Sequence, residues 1–290
     1  MQRITELPKI IVRPVDGHKG TFGKVLVVGG SVGFSGAPAL AARSALRGGA
    51  GLVRVAVPKG IQPIVAAIDP CYTTAGLPED SNGQIAAQAV NTVLNLANEN
   101  DVIAFGPGAG TGQGVVEVLL ALLNQSGLKL VIDADGLNVL AANGAAGGWT
   151  IRKKAQTVLT PHPGEMQRLW KSLFREPMPA DREQCAAVVA QKTNCIVVLK
   201  GASTVVTDGE KIYINTTGNP GMATGGSGDV LTGVIAALIG QQLSLFEAAV
   251  LGVYVHGLAG DLAADHFGQI AMIAADIIEK LPAAFKQLNH

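Results

Sequence analysis

Residues Asn215–Leu231 read NTTGNPGMATGGSGDVL. Glycines stand at 218, 221, 225, 226 and 228, and Val230, Leu231, Val234, Ile235 and Leu238 then follow at helical spacing. This pattern places the glycines in a loop and opens a helix at Ser227–Gly228–Asp229. A helix start presents unpaired N–H groups and a partial positive charge, so it attracts an anion. Glycine lets the backbone approach that anion closely and take positive φ. Asp229 admits two readings at such a place. It is a first-turn acid or part of the cap, or it is a general base beside donors that hold a phosphoryl group. The density of glycine favours the base, because a simple cap needs none of it. The stretch contains no G-x-x-x-x-G-K-[ST], and no strand leads directly into a G-x-G-x-x-G.

Working upstream, short apolar runs alternate with glycine-rich or polar turns. Lys24 to Val28 reads as a strand buried on both faces, ending in GGSVGFSG at 29–36 and a small-residue helix from Ala37 to Gly49. That unit is either a plain tight βαβ turn or the rim of a ligand site, since ligands of open α/β sheets sit beyond the carboxyl ends of strands. The remaining strands are expected at Leu52–Val57, Val102–Phe105, Leu128–Ile132, Thr157–Thr160 and Ile196–Leu199. Val205–Thr207 and Lys211–Ile214 flank an Asp208–Gly209 hairpin turn.

Each of several strands delivers chemistry to its end. Val102–Phe105 runs into Gly106–Gly110. Leu128–Ile132 runs into Asp133–Ala134–Asp135, two carboxylates that either cap a helix from Leu137 or hold Mg²⁺, directly or through water. Thr157–Thr160 runs into Pro161–His162–Pro163–Gly164–Glu165. His162 between two prolines is a structural residue or a ligand contact. Residues 1–20 read as an irregular lead-in and 171–183 as an exposed loop. Helices are expected at 229–239, from Leu245 to about Ala263, and from Ala271 to Phe285.

The 290 residues are 48% hydrophobic, enough for one large α/β core, and no composition break or repeat divides them. Aromatics at 4% argue against a stacking surface for single-stranded nucleic acid. Lys plus Arg and Asp plus Glu balance at 22 each, which gives no general attraction to nucleic acid or an anionic membrane. No run of about 18 apolar residues suggests a membrane span, and MQRITELPKI lacks a signal core. Cys71, Cys185 and Cys195 are odd in number and without metal spacing, so they read as buried or idle thiols in a reducing cytoplasm.

Taken together, GGSVGFSGAPALAARSALRGGAGLV, FGPGAG, VIDADGLN, LTPHPGE, VVLKGAST and NTTGNPGMATGGSGDVLTG resemble, in this order, the ADP/ATP-dependent NAD(P)H-hydrate dehydratases. The match runs from about Lys24 to Leu281. The glycine-rich end alone resembles the wider ribokinase-like superfamily. PHPGE and GNPGMATGGSGD narrow the resemblance to the dehydratase.

The resemblance implies a single ribokinase-like domain with a mostly parallel sheet and helices on both faces. It implies repair of hydrated NADH and NADPH: ADP or ATP phosphorylates the ring hydroxyl, and phosphate is then eliminated. By the same resemblance, Asp229 accepts the hydroxyl proton. Gly225, Gly226, Ser227 and Gly228 form the anion hole. Ala37, Gly108, His162 and Asp229 contact the hydrate. Lys200, Gly201, Ala202, Ser203, Thr204 and Gly228 hold the AMP portion of the nucleotide. Asn138 and Glu165 match family positions near the phosphates and a metal, Mg²⁺, for which Asp133 and Asp135 are the candidates read above from the residues themselves. Relatives form homotetramers and some carry a fused epimerase, which is expected here on a separate protein. Two other readings keep the same fold: a hydroxyethylthiazole-type small-molecule kinase that stops at the phosphorylated alcohol, and a non-catalytic nucleotide sensor.

Overall fold

The structure is a computed structural model. It describes residues 1–10, 12–148, 150 and 153–288, with the backbone alone at 145–147. Its centre is one ten-stranded sheet. The strands are β1 (Gln2–Ile4), β2 (Lys24–Val28), β3 (Leu52–Pro58), β4 (Thr73–Leu77), β5 (Val102–Phe105), β6 (Lys129–Ile132), β7 (Gln156–Leu159), β8 (Ile196–Leu199), β9 (Val205–Thr207) and β10 (Lys211–Ile214). Across the sheet they lie in the order β1-β10-β9-β8-β7-β6-β5-β2-β3-β4. Only β9 runs against the others.

Among the described residues ten α-helices fill the layers: α1 (Gly36–Arg47), α2 (Gln62–Ile68), α3 (Val90–Asn98), α4 (Gln113–Leu123), α5 (Asp135–Gly147), α6 (Pro163–Leu173), α7 (Arg182–Thr193), α8 (Ser227–Gly240), α9 (Leu245–Phe267) and α10 (Ala274–Gln287). The apolar strand runs explain the layering. Successive side chains of a strand point to opposite faces. Val25 and Val27 therefore join one core with α1, α8, α9 and α10, while Leu26 and Val28 join the other with α3, α4 and α5. A strand with a core on each side has no polar face to show, so its sequence is continuously apolar.

Two expectations change. The lead-in is not irregular throughout: Gln2–Ile4 pairs in parallel with Lys211–Tyr213 and closes the sheet edge. Three residues are too short a run for a period to be read. The polar stretch at 171–183 is helical as far as Leu173 and again from Arg182. In addition, 23-residue α9 carries an 18-residue window of mean hydropathy 1.3, but 61% of that window is buried inside the protein. It packs against α8 and α10 as a core helix.

The topology sets the rim. The chain steps outward from β2 through β3 to β4, then returns across β2 to β5 and steps outward the other way. Because these strands are parallel, the turns after β2, β5, β6, β7, β8 and β10 all emerge at one edge. The point of reversal, between β2 and β5, is where open α/β sheets leave a crevice.

Candidate active site

The glycine loop is held from one side by α9. Gly218 N–H and the Asn219 side-chain amide donate to the two oxygens of Asp261, at 2.9 and 3.0 Å. Thr217 Oγ1 donates to the Tyr254 carbonyl at 2.8 Å, and Asn215 Nδ2 to the Val253 carbonyl at 3.2 Å. The loop ends at Gly226, whose φ of 92° a side chain would resist. A Cβ there would also lie 2.5 Å from Leu40 of α1. Helix α8 then starts with no side-chain cap. Ser227 N–H is taken by the Thr224 carbonyl at 3.4 Å, whereas the N–H groups of Gly228 and Asp229 meet no acceptor among the described residues and stay open to a ligand.

Asp229 lies in the first turn of α8. Loss of water, first, and the neighbouring Asp133 charge, second, push its carboxyl up to about 7. No protein group donates to it among the described residues. A carboxyl serving only the helix dipole would be solvated or capped and would have no reason to be held near neutrality. The geometry therefore suits a group that exchanges a proton.

Behind Asp229 stands a tight polar cluster. Lys200 Nζ donates to Asp133 Oδ1 at 2.6 Å, and Thr232 Oγ1 to Asp133 Oδ2 at 2.7 Å. Asp133 is 1% exposed. The ammonium and the hydroxyl hold its carboxyl below the usual range against the opposing effect of burial. Lys200 Nζ is also 3.9 Å from Glu165 Oε2. A Cβ on Gly228 would stand 3.1 Å from that ammonium, so Lys200 faces the start of α8. A side chain at 228 would crowd this approach. Glu165, 5% exposed, is pushed up to about 7, chiefly by burial.

The expected helix caps do not form at 133–135. Helix α5 begins at Asp135, its preceding residue is Ala134, and no side chain caps it. Ala134 sits at φ 48°, ψ −119°, a region costly for a residue with a Cβ. This kink turns the two acids to different partners. Asp135 accepts from Gly110 N–H at 2.8 Å and from Asn138 Nδ2 at 3.3 Å, and Asn138 Oδ1 accepts from Arg168 Nε at 3.0 Å. Both Asp133 oxygens and both Asp135 oxygens thus carry protein donors.

His162 caps α6. Its Nδ1 accepts from Gly164 and Glu165 N–H at 3.0 and 3.4 Å, while Glu165 Oε2 accepts from His162 N–H at 2.8 Å. An accepting Nδ1 leaves the proton of the neutral ring on Nε2. That nitrogen is 3.4 Å from Glu165 Oε1, and burial and Lys200 keep the ring below its ordinary pKa.

Ala37 is in the second position of α1 and Gly108 is in the turn after β5. A Cβ on Gly108 would be 3.3 Å from Ala37 Cβ, so these two residues touch. Gly201, Ala202 and Ser203 are exposed, and Thr204 Oγ1 donates to the Gly201 carbonyl at 2.9 Å. Their turn is fixed from behind by Arg182, which donates to the carbonyls of Leu199 and Lys200 at 3.1 Å each and to that of Ala202.

Four participants escaped the sequence reading: Thr232, Asp261, His256 and the ammonium of Lys200 as a central cation. The first three are polar residues inside apolar helices, a signal that could have raised them. His256 is 9% exposed, burial lowers it to about 4, and its Nε2 has no partner. Ser227 Oγ at the start of α8 is likewise buried without one.

Comparison with known proteins places this arrangement. A family model described as NAD(P)H-hydrate dehydratase matches residues 25–283. A bifunctional NAD(P)H-hydrate repair enzyme of Moorella thermoacetica is 45% identical over 99% of this chain and 53% of its own length. An ADP-dependent (S)-NAD(P)H-hydrate dehydratase of Neisseria meningitidis is 37% identical over 98% of this chain and 91% of its own. The chain therefore spans about half the length of the bifunctional relatives. Among solved structures, the Bacillus subtilis ADP/ATP-dependent NAD(P)H-hydrate dehydratase co-crystallised with ATP and Mg²⁺ superposes with a TM-score of 0.79 at 26% identity, covering 95% of this chain and 93% of that one. A ribokinase-like protein of Enterococcus faecalis gives 0.80 at 28% identity, covering 96% and 92%.

Proposed function

The chain belongs to the NAD(P)H-hydrate dehydratase family, and from that premise we propose that it dehydrates hydrated NADH and NADPH at the expense of ADP or ATP. The observation that carries the reading is Asp229: a carboxyl without a donor among the described residues, pushed up to about 7, at a helix start that no side chain caps.

In this reading Asp229 takes the proton of the ring hydroxyl as the oxygen attacks the terminal phosphoryl group. The N–H groups from Gly225 to Gly228 and the Lys200 ammonium receive the charge of the transferring group, so the chain supplies mainly position and electrostatics. The ring nitrogen's lone pair then expels phosphate as the carbon–oxygen bond breaks. Loss of a proton from the adjacent ring carbon restores the double bond and yields NAD(P)H. Phosphate leaves where hydroxide does not. Ala37, Gly108 and the Nε2–H of His162 contact the hydrate. Lys200 to Thr204 with Gly228 receive the AMP portion of the nucleotide.

The donor set suits Mg²⁺ arriving with the nucleotide. Asp133, Glu165 and Asp229 all meet the charge of Lys200, yet two of the three carboxyls are pushed up to about 7, chiefly by burial and also by the neighbouring Asp133 charge. Among the described residues no three acids or imidazoles form a ready cage. The ion would then be held largely by phosphates and waters, with Glu165, Asn138, Asp133 and Asp135 oriented around those waters. Its chemistry is neutralisation of the phosphates during transfer. The proposal extends to a homotetramer acting beside a separate epimerase in the cytoplasm.

The test is incubation of purified NADH hydrate with protein, Mg²⁺ and each nucleotide, following ring absorbance and free phosphate together. Recovery of the reduced-ring absorbance with stoichiometric phosphate is expected. A phosphorylated hydrate accumulating without phosphate release would instead identify a kinase.

A further inference from the structure

The loop after β2 carries a largely exposed aromatic ring. Phe34 is 62% exposed, whereas Phe105 is fully buried. Exposed loops usually move, but this one is fastened. Gly30 N–H donates to the Pro107 carbonyl at 2.8 Å, Val32 N–H to the Gly83 carbonyl at 3.1 Å, and Phe34 N–H to the Ser31 carbonyl at 2.8 Å. Buried Ser31 Oγ donates to the Gly108 carbonyl at 2.8 Å. The loop is thereby tied to the turn after β5, across the reversal point of the sheet. Gly108 itself, at φ 62°, packs closely against this loop: a Cβ there would stand 2.9 Å from Phe34 Cβ and 3.3 Å from Ala37 Cβ.

Phe34 stands two residues before α1, which begins at Gly36 and carries Ala37 and Leu40. Its backbone and Cβ lie against Gly108, which also neighbours Ala37, so Phe34 sits beside the two small residues placed against the hydrate above. One turn further along α1, Leu40 lies against Gly226 of the anion loop. A rigidly mounted aromatic loses little conformational entropy on contact, which makes it an effective anchor.

The geometry points to Phe34 as a binding residue that covers one apolar face of the hydrated nicotinamide ring and its ribose, setting affinity for the hydrate and not for the nucleotide. This rests on the dehydratase reading above. Phe34 makes no contribution to the buried core, so its replacement leaves the fold intact.

The experiment is steady-state kinetics of Phe34→Ala, Phe34→Leu and Phe34→Tyr with NADH hydrate and ADP, repeated with hydrated reduced nicotinamide mononucleotide, which lacks the adenylate half. For Phe34→Ala the expected result is a KM for hydrate raised about tenfold or more, the size of one good aromatic contact. The kcat should stay within about threefold, the KM for ADP should not change, and Phe34→Tyr should restore the affinity where Phe34→Leu does not. The rise should persist with the mononucleotide. A hydrate KM within twofold of wild type overturns the assignment, and so does a rise confined to ADP or to the adenylate-bearing substrate. A change in sedimentation without a change in KM assigns Phe34 to contact between copies and also overturns it. Wild-type protein that turns over no hydrate overturns the functional reading, and this one with it. An active wild type beside an unaffected Phe34→Ala overturns this one alone.

Discussion

At the scale of single residues, the decisive quantity is the proton on Asp229. With its carboxyl raised to about 7, the free enzyme holds an ionised base only above that pH. The kcat/KM profile should therefore fall on the acid side with a midpoint near 7. Asp229→Asn should keep the fold and nucleotide affinity and lose about 10²–10⁴-fold in rate, as measured by turnover of purified variant. The linkage to stability has a definite sign. A folded-state pKa above the unfolded value means that the folded state binds more protons, so the contribution of Asp229 to stability is full below about 4 and is lost as pH rises through about 7. Asp229→Asn should thus raise Tm at pH 8 in the absence of nucleotide. That gain should shrink as pH falls through 7 and vanish below 4. Lys200 behaves oppositely. Removing it as Lys200→Met strands the buried Asp133 charge and should cost about 3–5 kcal/mol in denaturant unfolding. Adding Asp133→Asn should recover much of the loss.

At the scale of elements, the site depends on how closely α8 lies on α1. A Cβ on Gly233 would stand 2.0 Å from the Ala41 carbonyl oxygen and 2.1 Å from Ser44 Oγ. Helix propensity alone favours alanine over glycine by about 1 kcal/mol. Here the obstacle is backbone, which cannot step aside, and the clash outweighs propensity. Gly233→Ala should lower stability by at least about 1–3 kcal/mol, read from the midpoint of chemical unfolding. It should also impair catalysis, since pushing α8 off α1 moves Gly226 and Asp229. The glycines of this helix thus divide in two. Gly228 leaves room for Lys200, whereas Gly226 and Gly233 leave room for neighbouring helices. Periodicity cannot separate these uses, because each is defined by what lies opposite.

For the molecule as a whole, the parallel strands bring the turns after β2, β5, β6, β7, β8 and β10 to one edge, and the acids gathered there exceed the cations. The phosphates of a nucleotide add further negative charge. Excess chelator should therefore abolish dehydration, and added Mg²⁺ should restore it, in the coupled absorbance and phosphate assay.

The sequence alone determined the strands of the sheet centre, the glycine loop and helix start, and the candidate base. Each of these is written in local spacing: continuous apolar runs for strands with a core on each side, and glycines before a helical period for an anion loop. Motif order placed His162, Glu165 and the 200–204 turn on the list as well. What only the tertiary structure decided is which of these groups face one another. Lys200 and Asp133 are 67 residues apart in the chain yet 2.6 Å apart in space. Thr232 and Asp133 are separated by 99 residues and joined at 2.7 Å. The pairing of Gln2–Ile4 with β10 likewise has no local signal. A side chain's protonation is set by the water it loses and the charges it meets, and both are properties of the assembled rim, not of any stretch of the chain.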